Sequence, residues 1–92
     1  MFLVSKSEEP SLTIITVDGQ LAGDSIAVVE TCCDLAISAG KAVQLFLRDV
    51  PMVDQAGRAL LRRLAARGVR MLARGVYTSY LVGALNSGAS LR

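Results

Sequence analysis

Residues 45–75 read LFLRDVPMVDQAGRALLRRLAARGVRMLARG, and this stretch holds in succession a strand, a loop, an amphipathic helix and a second strand. Residues 42–47 form a nearly continuous apolar run, the pattern of a strand covered on both faces, and residues 69–73 form another. About three turns of helix lie between them. Asp54 and Gly57 fall where the loop passes into that helix, so the unpaired N–H groups there are open to capping by the carboxylate or to an anion. From Ala59 onward Leu60, Leu61 and Leu64 line one helical face, while Arg58, Arg62, Arg63 and Arg67 take the other. Gly68 follows as the residue that ends the helix.

Working outward, residues 2–6 and 12–17 read as two strands joined by a turn through Glu8, Glu9, Pro10 and Ser11, a β-hairpin that closes at Asp18-Gly19. Asp24 and Ser25 announce a helix running to about Ala39 and stopped by Gly40. On that helix Ile26, Val29, Cys33, Ala36 and Ile37 share the face expected to pack on the sheet. Val28, Cys32 and Leu35 make a second apolar stripe, and the favoured expectation is a helix buried more broadly than usual. A last helix is expected over residues 78–85, offering Leu81, Val82 and Leu85 to the core, with residues 86–92 as a flexible tail. The element order is therefore β-β-α-β-α-β-α in a single α/β domain of residues 1–92, with its core over about 12–85. Single helices between strands imply parallel pairing through right-handed crossovers, hence a small mixed sheet of about four strands with helices mainly on one face. In such sheets the loops beyond the carboxyl ends of the strands form the functional edge, where residues 49–57 lie.

Composition narrows the chemistry. With 92 residues, 52% of them hydrophobic, the chain has material for one small core and no apolar run near the roughly 20 residues that span a bilayer. Neither a charged leader nor a cleavage site precedes the first strand, so the expectation is a cytoplasmic protein without membrane insertion. The two cysteines, Cys32 and Cys33, are adjacent in a helix, where side chains diverge by about 100° and do not form an ordinary disulfide. Histidine is absent, which removes the commonest metal ligand and the usual general base at neutral pH; no metal site or cofactor is expected. Asp49 and Asp54 are five apart, but capping and loop hydrogen bonding account for both. Neither GxGxxG nor GxxxxGK occurs among the glycines.

The net charge of +2 conceals an asymmetry: residues 1–54 carry three basic and eight acidic side chains, residues 55–92 seven arginines and no acid. Six of the arginines fall between Arg58 and Arg74. They belong either to a solvated helix face balanced by nearby carboxylates or to a surface that meets an acidic partner. No aromatic residue is interleaved among them, and neither a helix-turn-helix nor an RNP pattern emerges, which argues against nucleic acid.

The order and spacing of these features resemble the STAS domain family, the modules of anti-sigma factor antagonists and of anion-transporter tails. That family ends a buried strand in an acid-centred loop, commonly Asp-Ser-Ser-Gly, opening the helix that meets a partner. The matching residues here are Asp54, Gln55, Ala56 and Gly57. Gly19-Gln20-Leu21, Arg48-Asp49-Val50, Gly68 and Ala73-Arg74-Gly75 extend the match over residues 13–85. Both serines are missing, and the phosphorylated position of regulated members falls on Ala56, which has no hydroxyl. Typical members carry a further strand and helix after the segment matching residues 77–85.

The resemblance implies a non-enzymatic interaction module that docks its Asp54 loop and second helix on a protein such as an anti-sigma factor. Gln55, Ala56, Arg58 and Arg62 would be contacts, Asp54 would brace the loop, and Gly57 would permit close backbone approach. An alternative within the same fold is a small cytoplasmic subunit of an ABC-type transport complex, bound to the transporter ATPase. A nucleotide-binding switch ranks third. Assembly as a homodimer is left open.

Overall fold

The computed structural model describes residues 2–74 and Gly83. Strand β1 (Leu3–Glu8) and strand β2 (Leu12–Asp18) form the expected hairpin, antiparallel in register from Leu3 opposite Asp18 to Glu8 opposite Thr13. Its turn is closed by the Glu9 N–H donating to the Leu12 carbonyl at 2.7 Å. Helix α1 (Asp24–Ser38) carries the chain over to β3 (Ala42–Asp49), which lies parallel to β2. Helix α2 (Gln55–Ala66) returns it to β4 (Arg70–Ala73), parallel to β3. The sheet is ordered β1-β2-β3-β4, a four-stranded mixed sheet as expected. The expected helix over residues 78–85 and the expected tail over 86–92 lie outside the described residues, apart from Gly83.

Alternation along the strands decides where the core sits. Thr13, Ile15 and Val17 of β2, Val43, Leu45 and Leu47 of β3 and Met71 of β4 are buried on one face. Against them pack Val29, Cys33 and Ala36 of α1 and Leu60, Leu61 and Leu64 of α2, so both helices cover the same side. At about 25 cal/mol per Å² of apolar surface removed from water, this cluster is the dominant stabilising contribution. On the opposite face Ile14, Gln44 and Phe46 are half-buried and Leu72 is exposed. Coverage of β3 on both faces, expected from its apolar run, is thus corrected: a four-stranded sheet with a hairpin at one edge needs only one helical layer, and Phe46 keeps partial exposure.

Helix α1 brings a second correction. Ile26 and Ile37 are half-buried against the core as expected, but Val28 and Leu35 are 45% and 63% exposed, and only Cys32 of that stripe is half-buried. The helix is not broadly buried. It has one sheet-facing side, and the stripe lies outside it.

Candidate functional site

Two loops meet at the carboxyl ends of β2 and β3. Parallel pairing carries past the strands into them: the Gly19 N–H donates to the Asp49 carbonyl at 2.7 Å, the Leu21 N–H to the Met52 carbonyl at 3.0 Å, and the Asp54 N–H to the Leu21 carbonyl at 3.3 Å. Leu21 and Val53 form an isolated parallel bridge, and both side chains are buried. The first loop is also tied to its own helix. The buried Ser25 hydroxyl accepts from the Ala22 N–H at 3.0 Å and lies 2.9 and 2.8 Å from the carbonyls of Gln20 and Ala22. Ser25 is therefore not the N-cap; that position is Gly23, whose positive φ of 60° turns the chain into α1 without a side-chain cap.

Asp54 is the N-cap of α2. Its backbone is extended and its carboxylate accepts from the Gly57 N–H at 2.7 Å, meeting one of the donors a helix start leaves unpaired. Gln55, Ala56 and Gly57 are consequently the first turn of α2 rather than loop. Gln55 and Ala56 are exposed, and Arg58 is half-buried. Gly57 is buried for a reason its sequence neighbours do not reveal: a Cβ there would lie 2.5 Å from the Leu21 carbonyl oxygen and 2.9 Å from Val53 Cγ1. The close backbone approach it permits within the chain is that of the first loop. Gly57 thus locks the two loops into one rigid rim, with Gln55 and Ala56 on its outside.

The arginines of α2 divide into two sets. Arg63 donates to Glu30 at 3.3 Å and Arg67 pairs with Asp34, so these two brace α2 against α1. Arg62 is exposed and has no ion-pair partner among the described residues. Of the two expectations for the basic face, balance by nearby carboxylates holds for Arg63 and Arg67 and leaves Arg62 pointing outward. Below the rim, Arg48 holds Asp18 through two hydrogen bonds, at 3.0 and 2.5 Å, keeping that carboxyl below the usual carboxylate range. Asp49 is exposed, and its backbone carbonyl accepts from the Gly19 N–H. Among the described residues no cluster of three His, Cys, Asp or Glu side chains could hold a metal ion, and no helix is long and apolar enough to cross a membrane. Sequence reasoning missed Leu21 and Ser25. The only available signal was the Gly19-Gln20-Leu21 match, which gave position but not role.

This geometry, a capped helix opening from a rim at the carboxyl edge of a mixed four-stranded sheet, is a fold of the STAS type. The crystal structure of an anti-sigma factor antagonist from Mycobacterium paratuberculosis superposes with a TM-score of 0.78 at 12% sequence identity, covering 98% of this chain and 82% of that one. A second solved structure, of Mglu, superposes with a TM-score of 0.60 at 24% identity over 78% of this chain but only 19% of its own. No family model and no curated protein matches the sequence.

Proposed function

We propose that this chain is a non-enzymatic protein-interaction regulator of the anti-sigma factor antagonist kind, acting in the cytoplasm on a protein partner. Its partner-facing surface is the Asp54 rim with the outward side of α2: Gln55, Ala56, Arg58 and Arg62. The observation that carries this reading is the placement of Gln55 and Ala56, exposed on a first helical turn that Asp54 caps and Gly57 fastens to Leu21. A surface fixed in this way loses little conformational freedom on binding. Arg62 adds a positive charge that favours an acidic patch on the partner and steers encounter.

Ala56 stands where regulated members of the STAS family are phosphorylated. Without a hydroxyl the surface has no acceptor at that position, so binding is not switched there and is governed by how much protein is made. Affinity capture from the native cytosol, with identification by mass spectrometry, tests the reading. An anti-sigma factor is expected among the retained proteins, lost when Gln55→Arg and Arg62→Glu are combined and unphosphorylating toward this loop when ATP is supplied. Retention unchanged by the double substitution, or phosphate found on residues 54–57, ends the proposal.

A further inference from the structure

The loop between β3 and α2 holds one large apolar side chain that the core does not take up. Val50 and Val53 are buried, and between them Pro51 and Met52 stand out, with Met52 43% exposed. The Met52 backbone is nevertheless held: its carbonyl accepts from the Leu21 N–H at 3.0 Å, and the next residue, Val53, bridges to Leu21. Closure of the two loops therefore fixes where this side chain projects. Further along, Leu60, Leu61 and Leu64 of α2 are all buried, which leaves Met52 as the one exposed large hydrophobic residue between positions 49 and 66. The partner-facing surface of Gln55, Ala56, Arg58 and Arg62 is polar or small throughout, whereas protein interfaces carry an apolar centre inside a polar border, with methionine enriched there. Met52 lies two residues ahead of the Asp54 cap, at the amino end of that surface, and the exposed Gln55 and Ala56 follow the cap directly.

Resting on the reading of the rim as the partner-facing surface, we infer that Met52 is the apolar anchor of that contact. It fits a protein that offers an apolar pocket for a thioether and, more than about 10 Å away along α2, a carboxylate for Arg62. That distance is the rise of the seven residues from Gln55 to Arg62 at about 1.5 Å each. Arg62 is exposed and has no ion-pair partner among the described residues, so its charge is available to that carboxylate. A fixed backbone places the Met52 side chain, while its unbranched thioether adapts to the shape of the pocket. The two groups contribute differently: an anchor seated in a desolvated pocket carries a large share of the affinity, and a charge at the border acts on encounter rate and salt dependence.

Isothermal titration with the purified protein retained in the capture experiment tests this. Met52→Ala should weaken binding at least about tenfold, Met52→Leu should recover most of that loss, and Leu35→Ala, a truncation of an exposed leucine on α1, should change nothing. The loss in Met52→Ala should persist at about 0.5 M salt, where screening removes most of the effect of Arg62→Glu. Hydrogen peroxide gives a second readout: one oxygen passes to the Met52 sulfur, water is released and a polar sulfoxide remains, while Met71 is shielded at 2% exposure. The treated parent should bind at least about tenfold more weakly, and treated Met52→Leu no more weakly than untreated. If Gln55→Arg with Arg62→Glu abolishes capture but affinity is indifferent to Met52→Ala and to peroxide, the anchor is overturned and the reading of the rim stands. A retained protein indifferent to all three substitutions ends both.

Discussion

Helices α1 and α2 lie side by side on the same face of the sheet and are built on opposite plans. In α2 every large apolar residue, Leu60, Leu61 and Leu64, is buried and the charges take what remains. In α1 the fully buried residues are Ser25, Val29, Cys33 and Ala36, with Ile26 and Ile37 half-buried beside them, while Val28 and Leu35 face outward. The difference shows that amphipathicity alone does not mark the side a helix turns to its core. Where a bulky residue is kept at the surface and a small one inside, close packing against the sheet has set the orientation.

The largest effect that would sharpen this contrast comes from truncating the two helices at matched positions. Leu61→Ala should cost about 2 to 5 kcal/mol in urea unfolding, through lost transfer energy and the cavity left behind. Leu35→Ala should stay within about 0.5 kcal/mol. Equal losses would erase the distinction between the helices. Gly57→Ala comes next: the added methyl meets the Leu21 carbonyl oxygen, a backbone atom that cannot swing aside, so about 1 to 3 kcal/mol should be lost despite the better helix propensity of alanine. Amide chemical shifts should move at Leu21 as well as at residue 57. Asp54→Ala removes the cap and should cost about 0.5 to 2 kcal/mol, with Asn at the same position largely restoring it.

Smaller effects probe how the helices are held together. Arg67→Ala should change stability by at most about 1 kcal/mol, an effect that shrinks in concentrated salt because the pair with Asp34 is solvent-exposed. Acid titration separates the hairpin edge from the helices. The Lys41 hydrogen bond, followed by that of Lys6, holds Glu8 below the usual carboxylate range, and Arg48 does the same for Asp18. A carboxyl whose pKa is lowered by folding adds stability above its unfolded pKa and loses it as the pH falls through the folded value. Unfolding midpoints should therefore be flat from pH 8 to 6 and decline below roughly pH 4. Arg48→Met should remove part of that decline. Finally, burial, then the neighbouring Cys32, pushes the Cys33 thiol up to about 12, so at neutral pH a maleimide should label Cys32 and leave Cys33 untouched until the protein unfolds.

Sequence carried the fold far because its elements announce themselves locally. The leucine and arginine faces of α2, the apolar run of β3 and the hairpin turn around Pro10 are patterns within a few residues, and each described element formed within about two residues of its expected span except α2, which begins at Gln55 inside the expected loop of residues 49–57. Asp54 was legible as a cap because capping is also local. What escaped depends on residues distant in the chain. Gly57 reads as a generic helix-start glycine until Leu21 is brought against it, 36 positions away, and Ser25 reads only as a helix-start residue until the loop folds back on its hydroxyl. The outer stripe of α1 misled for the same reason. Its periodicity specifies an apolar surface and says nothing of what covers it.

The pairing of residues 19–22 with 49–54 has a consequence for timing. A chain emerging from synthesis can close its hairpin and begin α1 without owning any part of the finished rim, since Asp54 and Gly57 must first be joined to Leu21 across the β2–β3 crossover. Such long-range closure comes late in folding. Under the proposed function, a nascent or damaged copy that has not closed the rim would have nothing with which to occupy a binding partner.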